Sequence, residues 1–305
     1  MMKKLSGLSL FFIFLVIAFF YFYRNWHDFS VISIENYFDL LGAVILSFLI
    51  LLMNGVLNKV LINKFGIDLS FREWFGLSVV STLGNILTPF RGGLALNAMY
   101  LNKKYSFRYS KYAALTSGAY VIIFWINSIL GLLACWYIKC AYGILNWYVF
   151  GVFLMFALFL SLIIFLKPKF KGFKNSYTSK YLDALNDWQL VCDQKNVFIK
   201  LILINMITIV ILIFINYFEF AAFGAHINLI KLLFISVFGT FSLLISITPA
   251  NFGFKEAFTI FSGVIIGLAI PQIIIVSVLD RLINFGLSFV FGVPFSLYLQ
   301  RKLTI

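Results

Sequence analysis

The sequence predicts an all-α integral membrane protein, a polytopic helical bundle of about eight membrane segments. Three observations predict it. The 305 residues are 62% hydrophobic and only 11% charged, which lies outside the range of soluble globular domains. Apolar runs recur along nearly the whole chain, and several are long enough to cross roughly 30 Å of hydrocarbon at 1.5 Å per residue. Two further apolar runs are broken, one at Thr88-Pro89-Phe90-Arg91-Gly92-Gly93 and one at Thr248-Pro249-Ala250-Asn251-Phe252-Gly253-Phe254-Lys255-Glu256. Backbone cannot come unpaired in lipid without partners, so a matched pair of breaks points to half-helices around a shared site.

The elements follow in order. Met1-Met2-Lys3-Lys4 and the apolar run after it resemble a signal peptide. The run lacks a small-x-small cleavage site and ends in the aromatic belt Tyr21-Phe22-Tyr23-Arg24-Asn25-Trp26, so it reads as a retained span over 5–23. Uninterrupted spans are expected over 38–62, 112–138, 143–166, 198–222 and 272–299. The broken intervals 74–101 and 231–270 are read as re-entrant hairpins, each entering and leaving on one side; ordinary proline-kinked helices are the alternative. Tyr177, Tyr181, Leu182, Leu185, Trp188 and Val191 recur at helical spacing, which predicts an interfacial helix over about 174–195 that connects the two halves or docks a partner.

Charge sets the orientation. With both hairpins re-entrant, 18 of the 24 Lys and Arg fall in cytoplasmic segments, and only Arg24, Lys139 and Lys231 fall outside. Arg91, Lys255 and Arg281 are left within the membrane. Making the first hairpin a full crossing would force the Lys-rich stretch 167–195 outward, against the positive-inside rule. Both termini are therefore expected in the cytoplasm, in a cytoplasmic membrane. The chain is expected to be one transmembrane domain over 1–305, with a first repeat at about 38–138 and a second, of inverted topology, at about 198–299.

The candidate site is the meeting point of the two hairpin tips. Each second half-helix starts just after its break, so its N-terminus carries backbone N–H groups and the positive end of the helix dipole toward the membrane centre. Pro89 and Pro249 make the breaks. Gly92, Gly93 and Gly253 allow close backbone approach, and Asn251 can cap. Arg91, Lys255 and Arg281 add cations suited to phosphate oxygens. Each would cost about 2.5–3.5 kcal/mol facing lipid, so they must face a polar interior. Glu256 and Asp280 are the obvious balancing or proton-carrying carboxylates. Neighbouring side chains on a helix diverge, so pairing across elements is favoured over Lys255–Glu256 or Arg281–Asp280. An anion site and a purely structural ion network both fit this set.

Several functions are disfavoured. The net charge of +13 sits between apolar spans, where topology accounts for it, so no nucleic-acid partner is expected. Cys135, Cys140 and Cys192 have no metal-ligand spacing, and no disulfide framework, metal or cofactor is expected. No P-loop, paired-histidine zinc motif or Gly-x-Ser-x-Gly elbow occurs. The chain is therefore expected not to be an enzyme, with a membrane-embedded glycosyltransferase or a non-transporting scaffold as the alternatives.

Pro89-x-Arg91-x-Gly93, together with Pro249, Gly253-x-Lys255-Glu256 and Arg281, resembles the lysylphosphatidylglycerol synthase transmembrane-region family. This is the flippase-like domain found also at the membrane end of the multiple peptide resistance factor. The resemblance implies about eight membrane segments and transfer of an anionic phospholipid, or a polyprenyl-phosphate-linked glycan, between leaflets. It departs from the family at Gly93-Leu94-Ala95, where an acidic residue is usual, at Lys255, where Arg is usual, and at Gly118-Ala119-Tyr120, which replaces an acidic-Arg pair. The corresponding pair is present in the second half as Asp280-Arg281. The sequence ends at Ile305 without a soluble aminoacyl-transferase portion, so lysyl-lipid synthesis is not expected of it.

Overall fold

A computed structural model describes residues 33–166 and 194–304, together with Val16, Tyr23 and Arg24. Most of the expected first span and most of the interfacial helix lie outside the described residues. Within them every element is helical. In chain order these are α1 (Tyr37–Asn63), α2 (Phe71–Leu87), α3 (Gly92–Tyr105), α4 (Tyr109–Tyr142), α5 (Trp147–Leu166), α6 (Lys195–Ala221), α7 (Leu229–Phe241), α8 (Phe254–Ile265) and α9 (Ile270–Thr304). Two short 3-10 turns, Ser242–Ile245 and Pro249–Asn251, lie between α7 and α8. Five helices, α1, α4, α5, α6 and α9, are long and apolar enough to cross a membrane. They match the five uninterrupted spans read from sequence to within a few residues. The protein is a multi-pass helical membrane protein.

Both broken intervals are broken in the structure. Pro89 disfavours helical backbone at Thr88, which is extended at φ −128° and ψ 144° and ends α2. Phe90 and Arg91 then take left-handed φ of 57° and 54° before α3 begins. The chain folds back so tightly that a Cβ on Gly93 would lie 1.8 Å from the Ser81 carbonyl oxygen. The second break repeats the device with Ala250 and Asn251 at φ 53° and 55°, and Gly253 at φ 83°.

Two polar clusters define the ends of the bundle. At one end Glu73 accepts hydrogen bonds from Ser70 N–H (3.1 Å), Tyr100 (2.8 Å) and Tyr105 (3.0 Å), is ion-paired with Lys104, and has Lys302 at 3.8 Å. This ties the start of α2 to the ends of α3 and α9. Burial opposes charge on Glu73, but the bonds from Lys104, Ser70 and Tyr100 more than offset it and hold the carboxyl well below the usual range. At the other end Lys231 donates to the Ile266 carbonyl at 3.1 Å and lies over the Tyr142 ring at 4.6 Å, joining the start of α7, the end of α8 and the end of α4. The α2–α3 pair therefore starts and finishes at one end of α4, and the α7–α8 pair at the other. Packing completes the bundle: α6 lies along α1, α9 along α2, and α4 along α5 and α7. Small residues admit the close contacts, with Gly76 facing Phe295 and Gly292 facing Leu83.

Candidate functional site

The two breaks meet inside the bundle. α2 runs against the Pro249–Asn251 turn, and the Arg91 Nε donates to Ser246 Oγ at 3.1 Å. Beside them lies a cavity of about 480 Å³, bordered by Arg91, Lys255, Asp280 and Arg281. That volume is in the range of small-molecule and headgroup sites. Arg91, Lys255 and Arg281, drawn from both breaks and from α9, thus border one chamber.

The cations are held differently. Lys255 of α8 is ion-paired with Asp280 of α9, and Arg281 of α9 with Glu256 of α8, so the pairs cross between helices. Arg281 is also directed by its remaining N–H groups to the carbonyls of Ala250 (3.3 Å) and Asn251 (3.4 Å), and its guanidinium lies 4.7 Å from the Phe252 ring centroid. It thus braces the unwound backbone of the second break. Asn251 adds to this brace by donating to the Ser242 carbonyl (3.0 Å) and hydroxyl (3.1 Å). Lys255, which lines the cavity, keeps 43% of its side chain accessible within its pair. Arg91 has no carboxylate at ion-pair distance among the described residues; its guanidinium lies 4.8 Å from the centroid of the Tyr120 ring.

The backbone amides are less open than their positions suggest. Gly93 N–H donates to Asn85 Oδ1 at 3.0 Å, and Gly253 N–H to Glu256 Oε2 at 2.8 Å, so each helix start is capped by the chain's own side chain. Gly92, Gly93, Gly253, Pro89, Pro249 and Glu256 are not among the cavity-lining residues. The glycines serve the fold: a Cβ on Gly92 would lie 2.2 Å from Thr88 Oγ1. At the cavity wall the available cationic groups are therefore side chains.

Sequence reasoning missed several lining residues. Tyr120 and Ser246 orient Arg91, and Glu219 near the end of α6 is 1% exposed. Asn205, Thr208, Asn216 and Glu219 fall at helical spacing on one face of α6, and all line the cavity. That stripe was available as a signal, though it hides inside a run of high mean hydropathy.

A family model for the lysylphosphatidylglycerol synthase TM region matches residues 2–292. The chain belongs to that family. No curated protein matches it. Lysylphosphatidylglycerol synthase TM-region membership gives the chain a lipid-related membrane setting. An aromatic face stands at Tyr120, and it supports Arg91 without neutralising it.

Proposed function

We propose that the protein moves an anionic phospholipid, or a polyprenyl-phosphate-linked glycan, between the leaflets of the cytoplasmic membrane. One observation carries the reading: Arg91 from the first break and Lys255 from the second border a single cavity, and Arg91 has no carboxylate to neutralise it among the described residues. A guanidinium held by an aromatic face and one hydroxyl keeps donors free for the two-pronged contact that phosphate oxygens accept. Lys255 adds a second charge, and Arg281 with Glu256 keeps the break in shape.

In this reading the α2–α3 and α7–α8 pairs are re-entrant hairpins of two inverted repeats, their tips meeting near the bilayer centre. The cytoplasmic face is the Glu73 end, toward which Lys103, Lys104, Arg108, Lys111, Arg301 and Lys302 gather in sequence; Lys139 and Lys231 belong to the opposite end. A transferase that draws its base from the second break is disfavoured, because Asp280 and Glu256 are both engaged by cations.

The test is leaflet exposure of a labelled phospholipid or polyprenyl-phosphate sugar in reconstituted vesicles. Arg91→Gln should abolish transfer with normal folded yield, and Arg91→Lys should retain part, since Lys lacks the planar fork. Normal transfer by Arg91→Gln would overturn the anion site and favour the scaffold reading.

A further inference from the structure

The two carboxylates expected from sequence to balance charge or carry a proton are both engaged. Glu256 is paired with Arg281 and Asp280 with Lys255, so neither can take up a proton without breaking a pair. Glu219 is held differently. It stands near the end of α6, is 1% exposed, and lines the cavity. Its Oε1 has no hydrogen-bond partner, and no cation lies at ion-pair distance from it among the described residues. A carboxylate shut away from water without a partner costs several kcal/mol, so in this arrangement Glu219 is the neutral acid. An ionisable side chain kept inside a span at such a cost marks a function, and for a carboxyl the commonest is carrying a proton.

Its surroundings give that proton a consequence. Of the helices packed against α6, α1 and α7 place no ionisable side chain on the cavity, α4 places Tyr120, and α9 places Asp280 and Arg281. Lys255 reaches the cavity from α8, and it and Asp280 are the charges that act on Glu219. Around the two breaks Arg91, Lys255 and Arg281 bring three positive charges, while Asp280 and Glu256 bring two negative ones. With Glu219 neutral the site therefore carries one net positive charge, which matches a single phosphodiester. With Glu219 ionised the net charge is zero, and an entering anion would meet a second, unpaired carboxylate.

We propose that Glu219 is a proton-binding site coupled to the anion: the cavity takes its anion while Glu219 is protonated and releases it as Glu219 ionises. The proposal rests on the phosphate reading of Arg91 and Lys255. The O–H bond of the carboxyl breaks on release, and the proton passes to water admitted to the cavity; it returns by the same exchange. A proton needs no room beside the sealed Oε1, only a route to the carboxyl, and the cavity supplies one. Coupling of this kind is reciprocal, so a bound anion also favours the protonated form of Glu219.

The experiment titrates the purified full chain in detergent with short-chain phosphatidylglycerol, whose phosphodiester stays ionised throughout, across the range in which buried carboxyls ionise, about pH 5 to about pH 9. Affinity should fall roughly tenfold or more as pH rises, the scale of one unit charge acting across a protein interior. Glu219→Gln fixes the neutral form and should bind at the low-pH affinity over the whole range. A second measurement needs no variant: at the upper end of the range, binding by the parent chain should draw protons from a weak buffer, read with a pH dye. Constant parent affinity without proton uptake overturns the proton site and leaves the phosphate site standing. A pH dependence that survives in folded Glu219→Gln overturns the assignment to Glu219. Absence of binding at every pH overturns the phosphate reading, and the proposal with it.

Discussion

At the second break Lys255 and Arg281 each face a carboxylate from the neighbouring helix, while at the first break Arg91 has the Tyr120 ring and the Ser246 hydroxyl. The backbone problem is the same in both places: an unwound tip, two non-glycine residues at left-handed φ, and a helix start capped by a nearby side chain. The electrostatic solutions differ. Crossed ion pairs neutralise charge and hold α8 against α9, so they act on structure first. An aromatic face orients a cation without cancelling it, which leaves the charge for a ligand. On the proposed reading, bracing falls mainly to one break and ligand capture mainly to the other.

The strongest way to break that comparison is to remove one partner at each site. Arg281→Gln strands Glu256 and releases the carbonyls of Ala250 and Asn251. Losing one member of a buried pair costs about 3–5 kcal/mol, so thermal unfolding in detergent should drop sharply. Glu256→Gln should do the same, and the double variant should cost much less than the two together. Arg91→Gln should lie within about 2 kcal/mol of the parent, because it strands no carboxylate. A loss at Arg91 equal to that at Arg281 would mean that both breaks are braced alike.

A second test bears on the tightness of the first break. Gly93→Ala must move its Cβ away from the Ser81 carbonyl, 1.8 Å off, and so pry α3 from α2. Overpacking of this kind costs roughly 1–3 kcal/mol or more. Gly286→Ala, in open space on α9, should cost nothing measurable by the same unfolding assay. Equal effects would show that the hairpin is not closed as described.

The helical membrane class was legible because it rests on the composition and apolar run lengths of the whole chain. The five uninterrupted spans were marked by apolar length, and the breaks by Pro89 and Pro249, each local enough to read directly. The convergence of Arg91, Lys255 and Arg281 on one cavity followed from the matched breaks. Pairing across helices was favoured by side-chain divergence at adjacent positions, and the structure pairs Lys255 with Asp280 and Arg281 with Glu256. Other features depended on three-dimensional register. That Asn85 caps Gly93 could not be read, because it depends on how tightly α3 folds back on α2. Glu73 drew no reading from the sequence, yet it gathers Tyr100, Tyr105 and Lys104 from the far part of α3. Glu219 and the amides of α6 were hidden for a different reason: a few polar residues hardly lower the mean hydropathy of a 27-residue helix, although their spacing puts them on one face.

The finest test sharpens the comparison at Tyr120. Its ring faces Arg91 at 4.8 Å, and its place in the fold carries no carboxylate, unlike Asp280 beside Lys255. Tyr120→Phe keeps the ring and should leave headgroup transfer near the parent level. Tyr120→Leu removes the ring and should weaken anion binding by about 0.5–2 kcal/mol, or roughly two- to thirtyfold, because Arg91 is no longer held in one orientation. Tyr120→Glu makes the first break resemble the second: the new carboxylate would pair with Arg91 and compete with phosphate for the guanidinium. Its unfolding temperature should match or exceed that of Tyr120→Leu while its anion binding falls below it. Both quantities come from one titration series of the three purified variants with short-chain phosphatidylglycerol, followed by thermal unfolding. Anion binding by Tyr120→Glu at the parent level would show that neutralising Arg91 has no consequence, and the division of labour between the two breaks would fail.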